Sequence, residues 1–212
     1  MNKLYMFTDF ENLNLDDLKL HVKRMPAERI KKFNSLSSTK DRLNCVVAYF
    51  LLYFALKECN LCDVQLPISF TYGKSQKPHI KGLSSVHFNL SHTDSAVICA
   101  ISDHEVGVDI ERRRSINLKI SSKICTKSEQ KLLKNSCNME KMLLEIWTKK
   151  ESCAKMYGCS VFGNFLQIDT LNAPGLFCFE RGDFIISLSS AGCESDFVGP
   201  ISVCAREILN LL

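Results

Sequence analysis

The chain lacks the features that mark secreted, membrane-spanning and metal-thiolate proteins. Met1 to Phe10 holds no long apolar stretch and no small-residue cleavage site, so no secretory leader is expected. The most apolar run, Cys45 to Leu56, falls short of the roughly 20 residues a bilayer requires and predicts a buried helix instead. No membrane contact is expected, and the expected compartment is the cytoplasm. Strong charge of one sign is missing too: the net charge is +4 over 212 residues, with a pI near 8.4. That balance suits anionic partners and is too weak to argue for nucleic acid. Eleven cysteines are present, yet only Cys59 and Cys62 form a CxxC pair, and no second pair or His-x-x-x-His completes a tetrahedral site. Scattered spacing predicts reduced thiols, mostly buried as small hydrophobes.

The patterning that is present alternates between helix and strand. Leu4 to Thr8 predicts a strand. Pro26 opens a helix over 27–33, and Ser37-Ser38-Thr39 offers N-caps for a longer helix ending near Asn60. Residues 73–78 form a basic loop. From Ser95 the period switches to two, predicting a strand at 96–101, a turn at Asp103-His104 and a hairpin partner at 106–111. Residues 125–136 and 139–157 are expected to be helical, followed by a strand-rich tail with 184–188 and 198–204 as its clearest strands. The class is α+β, with no linker or repeat and a soft boundary near residue 105.

Chemistry concentrates in three segments. In Gly107-Val108-Asp109-Ile110-Glu111, period two puts Asp109 and Glu111 on one face, about 6.8 Å apart, and Val106, Val108 and Ile110 on the other. Two close carboxylates repel, and an all-oxygen pair suits magnesium; an exposed strand end neutralised by Arg112, Arg113 and Arg114 is the alternative. In Trp147-Thr148-Lys149-Lys150-Glu151-Ser152-Cys153-Ala154-Lys155, Trp147, Glu151 and Lys155 stand at i, i+4 and i+8 on one helix face. A Glu–Lys pair at that spacing is often a surface ion pair worth a few tenths of a kcal/mol, but a shared stripe with tryptophan makes the face half-buried. Gly158 ends this helix. The third segment, Lys77-Pro78 with Phe88-Asn89-Leu90-Ser91-His92, offers groups that suit a pyrophosphate, although His92 could equally be a loop histidine bonded to backbone.

Read in order, these segments resemble the Sfp-type 4′-phosphopantetheinyl transferases. That family carries a Gly-Lys-Pro element with Asn-x-Ser-His, then Gly-x-Asp-x-Glu, then Trp-x-x-Lys-Glu-(Ala/Ser)-x-x-Lys. Gly73-Lys74-Ser75-Gln76-Lys77-Pro78 departs from it by separating the glycine from Lys-Pro; Pro78 sets the frame that aligns Lys77, with Lys74 as a substitute.

The resemblance implies a pseudo-twofold monomer of two similar α+β lobes, residues 1–105 and 106–212, with the active site in the cleft between them. It further implies that Lys77, Ser91, His92, Arg29 and Arg42 bind the phosphates of coenzyme A. Asp109, Glu111 and Glu151 would hold Mg2+. Glu151 would take the proton of a serine on an apo acyl or peptidyl carrier protein, and Lys155 would stabilise the leaving phosphate. Carrier docking is expected around Ile116 to Ile124 and the following helix. Two rivals are a magnesium-dependent nuclease, in which Glu and Lys usually stand two apart on a strand, and a non-catalytic homologue that only docks carriers.

Overall fold

A computed structural model describes residues 1–61, 64–73, 75–159, 165–192 and 197–212. Expectations about Cys62 and Lys74 lie outside them. The elements run β1 (Asn2–Phe7), α1 (Leu15–Val22), α2 (Ala27–Ser35), α3 (Thr39–Glu58), β2 (Phe70–Tyr72), β3 (Pro78–Ile80), β4 (His87–His92), β5 (Val97–Ser102), β6 (Val106–Arg112), α4 (Ser121–Ile124), α5 (Lys127–Lys134), α6 (Met139–Tyr157), β7 (Leu176–Arg181), β8 (Phe184–Ser190), β9 (Ile201–Val203) and α7 (Ala205–Leu209). The α+β class is as the patterning predicts.

Two sheets build the frame, one ordered β4-β5-β1-β9 and the other β6-β8-β7. Period two decides which residues meet. Tyr5, Phe7, Val97, Cys99 and Ile101 face α3, whose every residue from Asn44 to Leu56 is buried. Leu4, Met6, Ile98 and Ala100 point the other way, onto Val106, Val108, Ile110, Ile186 and Leu188 of the second sheet. The layers therefore run α3, first sheet, second sheet, α6. α1, α2 and α7 cover the outer side of α3, so this all-round apolar helix is buried on every face, and no helix among the described residues is long and apolar enough to cross a membrane.

The expected hairpin between 96–101 and 106–111 does not form. Both edges of β5 are already taken, by β1 and β4. β6 instead pairs antiparallel with β8, setting Asp109 opposite Ser187. The short turn after Ser102 is thus a step between two layers. The chain also returns: β9 pairs parallel with β1, and Val203, Ala205 and Ile208 pack into the core around α3. The described cysteines are free, but burial holds only for Cys45, Cys99, Cys125 and Cys153; Cys137, Cys159, Cys178 and Cys204 are exposed.

Candidate active site

Because Val106, Val108 and Ile110 fill the space between the sheets, Gly107, Asp109 and Glu111 face α6. At Gly107 the helix comes so close that a β-carbon would stand 2.0 Å from Ser152 O and 2.4 Å from Met156 N. Only glycine fits. The helix register is set by hydroxyl pairs: Thr148 Oγ1 lies 2.8 Å from Ser187 Oγ, and Ser152 Oγ 2.8 Å from Ser189 Oγ, all buried. Asn138 caps the start of α6 by accepting from Lys141 N, and Gly158 ends it at φ +65°.

This packing brings the stripe of α6 against the acids of β6. Lys155 Nζ donates to Asp109 Oδ1 at 2.6 Å and to Ser91 Oγ at 2.9 Å. Ser91 Oγ in turn donates to Asp109 Oδ1 at 2.9 Å. From the same strand as Ser91, the Asn89 side chain accepts from Val108 N at 2.9 Å, so β4 is stitched to the free edge of β6. Asp109 is 6% exposed, and its Oδ2 is buried with no hydrogen-bond partner. Glu111 is paired with Arg114 at 3.0 Å. The neutralised strand end weighed from sequence is therefore present at Glu111, and Asp109 lies beyond its reach. The Glu151 side chain makes no hydrogen bond or ion pair with any described residue.

Electrostatics follow from this crowding. Burial first, and then the Asp109 carboxylate, hold the Glu151 carboxyl above the ordinary glutamate value; Lys155 opposes them. Burial likewise raises Glu111, with Arg114 pulling down and Asp109 pushing up. His92, exposed at the end of β4, is lowered by partial desolvation and then by Lys32 and Lys155, so it stands between two cations.

Asp109, Glu111, Glu151, Lys155, Ser91, His92 and Trp147 line one cleft of about 620 Å³. A second hollow of about 430 Å³ adjoins it, sharing Leu90 and His92 and walled by Arg29, Lys32 and Pro78. Of the residues expected from sequence, seven of the nine border these two spaces: Asp109, Glu111, Glu151, Lys155, Ser91, His92 and Arg29. Lys77 and Arg42 do not. Lys77 Nζ is turned inward onto Glu105 Oε2 at 2.6 Å, Val106 O at 2.9 Å and Met156 O at 2.9 Å, tying the start of β6 to the end of α6. Arg42 donates to Leu36 O at 2.7 Å and lies over the Phe33 ring. Sequence reasoning missed Lys32, one turn from Arg29 on α2; its i+3 spacing was the available signal. It also missed the structural part played by Asn89.

Comparison with known proteins agrees with the motifs. Residues 105–190 match the family model described as the 4′-phosphopantetheinyl transferase superfamily, a segment that contains both the Gly-x-Asp-x-Glu and the Trp-x-x-Lys-Glu elements. The chain is 39% identical over 79 residues to 4′-phosphopantetheinyl transferase gsp of Aneurinibacillus migulanus, covering 36% of this chain and 33% of that protein. It is 34% identical over 93 residues to 4′-phosphopantetheinyl transferase Sfp of Bacillus subtilis (strain 168), covering 43% and 42%. With 4′-phosphopantetheinyl transferase psf-1 of Bacillus pumilus the identity is 36% over 109 residues, covering 46% and 47%. The matches span less than half the length of these relatives. The resemblance read from the three motifs is to this superfamily.

Proposed function

We propose that the protein transfers the 4′-phosphopantetheine arm of coenzyme A to a serine hydroxyl of an apo acyl or peptidyl carrier protein, with magnesium, releasing 3′,5′-ADP. The observation that carries this is that Asp109, Glu111, Glu151 and Lys155 line one cleft, in which Asp109 Oδ2 is buried without a hydrogen-bond partner. The relatives named above support the reaction class.

The donor chemistry of these residues suits a hard divalent cation, while their three carboxylates do not all lie within 4.8 Å of one another. Their donors are all oxygen, with no imidazole or thiolate among them, which suits magnesium. Asp109 Oδ2 is an unused ligand atom; burial first, with the Asp109 charge added, raises the carboxyls of Glu111 and Glu151, and a cation in the cleft would favour their charged forms. When bound, the ion would neutralise diphosphate charge and orient the reacting group.

The chain's own residues supply the rest. The serine oxygen attacks the phosphorus that carries the pantetheine arm, and the anhydride bond to 3′,5′-ADP breaks. Glu151, unpaired and with its carboxyl raised, accepts the serine proton; such help contributes typically about 10²- to 10⁴-fold. Lys155 places its ammonium beside Asp109 and stabilises the departing phosphate. Ser91 holds the Asp109 carboxylate in place. Lys32, His92 and Arg29 line the adjoining hollow and would receive the nucleotide phosphates. All these groups come from one chain, so a monomer suffices.

Intact-mass analysis of candidate apo carriers, incubated with protein, coenzyme A and magnesium, tests the proposal. The expected result is a gain of one phosphopantetheine on the carrier serine. Unmodified carriers across the fatty-acid, polyketide and nonribosomal-peptide classes would overturn it.

A further inference from the structure

A second constellation lies away from this cleft, where β3, β4 and the turn into β6 meet. His79, His87 and Glu105 each offer a ligand atom, and the three atoms lie within 4.8 Å of one another. Three separate segments supply them, so the cluster is tertiary in origin and none of its members is a neighbour in sequence. The two imidazoles stand edge to face, with centroids 6.4 Å apart and planes at 84°. The rings are therefore not stacked, and a nitrogen of each lies within 4.8 Å of the other and of a Glu105 oxygen.

The contact between His87 and Glu105 is informative. His87 Nδ1 lies 3.1 Å from Glu105 Oε1, yet this buried nitrogen has no hydrogen-bond partner. The distance is right for a hydrogen bond and the direction is wrong. A buried ring nitrogen left unsatisfied beside a carboxylate oxygen is open to a metal ion. Their spacing is close to the edge of about 3.3 Å expected for tetrahedral donors on bonds of about 2.0–2.1 Å. Lys77 meanwhile holds the other oxygen, Glu105 Oε2, at 2.6 Å, the outer-shell contact that orients a ligating carboxylate.

We propose that His79, His87 and Glu105 form a second metal site, selective for a zinc-type divalent transition ion over magnesium. Two imidazoles and one carboxylate are the donors such ions take, with water free to occupy a fourth position. Glu105 is 40% exposed at its side chain and His87 19%, so solvent and ion can enter. A bound ion would clamp β3 to β4 and to the turn that leads into Asp109. Both strands contribute walls to the second hollow, through Pro78 and through Leu90 and His92. The role is therefore structural support of the cleft.

Cobalt(II) titration of chelator-treated full-length protein tests the site. Wild type should develop visible d–d absorption without thiolate charge-transfer bands, and His79→Ala and His87→Ala should each weaken binding at least tenfold. Asp109→Asn should leave the spectrum unchanged. Zinc at one hundred times its wild-type Kd should raise the wild-type Tm by roughly 5–10 °C and raise that of either histidine variant by no more than about half as much. Should either variant fail to fold, zinc X-ray absorption on wild type decides: two imidazoles with oxygen support the site. Sulfur ligation by the exposed cysteines, binding that survives loss of both histidines, or no binding would each overturn it.

Discussion

Lys155 Nζ and Asp109 Oδ1 lie 2.6 Å apart, joining a helix and a strand whose partners are separated by 46 positions in sequence. The strand reaches its place by pairing with β8, and the helix by packing on Gly107 and the serines of that same β8. The ion pair thus reports whether the second sheet and α6 are assembled. Its partial burial, at 29% and 8% side-chain exposure, sets it apart from weak surface pairs; the Glu151–Lys155 surface pair weighed from helix spacing is a different contact.

Gly107→Ala should be severely destabilising. Its new methyl would meet backbone atoms of Ser152 and Met156, which no rotamer change can clear. Overpacking usually amounts to about 1–3 kcal/mol, and the rigid opponent puts this variant at or above the upper end. Urea denaturation measures it; a change under about 0.5 kcal/mol would mean that α6 is free to shift.

Glu151→Gln should separate stability from activity. A carboxyl whose folded-state pKa lies above its unfolded value stabilises the fold below the unfolded pKa, and that contribution is lost as pH rises through the folded one. At neutral pH the metal-free wild type therefore bears an unfavourable charge at Glu151. The glutamine variant should melt higher than wild type in chelator, yet transfer at least about 10²-fold more slowly. A lower Tm in chelator would show that Glu151 is stabilised by a partner instead.

Much of this site was legible in sequence because two local periods suffice to define it. Period two put Asp109 and Glu111 on one face, and steps of four put Trp147, Glu151 and Lys155 on one stripe. What failed depended on distant chain. The β5–β6 turn has the spacing of a hairpin, but strand pairing is decided by which edges remain free, and β1 and β4 had claimed those of β5. Lys77 points inward for a related reason. A lysine beside a proline looks available for phosphate, and only the fold reveals that Glu105, Val106 O and Met156 O consume its three protons. Arg42 likewise spends its guanidinium on Leu36 O and Phe33.

Binding of coenzyme A should tighten as pH falls from about 8 to about 6. In the free protein His92 is held below its ordinary value of 6.5, so it is largely neutral near pH 7. An anionic phosphate favours the imidazolium and raises that pKa, so binding takes up a proton. Calorimetry in buffers of differing ionisation enthalpy measures the uptake. His92→Gln should abolish it; equal uptake in the variant would reassign the proton.

Lys150→Met should lower stability by about 3–5 kcal/mol, the usual consequence of leaving a buried charge alone. Lys150 and Glu129 are both fully buried, 2.7 Å apart, and Lys150 also donates to Ile124 O and Phe165 O. Glu129 accepts from Thr170 and from Thr126 N, so the pair pins α5 and the segments flanking α6. Denaturant unfolding gives the value, and a loss under about 1 kcal/mol would contradict a buried ionised pair.

The central claim, that Asp109 and its neighbouring carboxylates jointly grip a hard cation beside a diphosphate, is tested most directly by titrating coenzyme A with and without magnesium. Wild type should bind at least about tenfold more tightly with the ion, a coupling of roughly 1.4 kcal/mol, and Asp109→Asn should lose that difference while remaining folded. Identical wild-type affinities in magnesium and in chelator would contradict it.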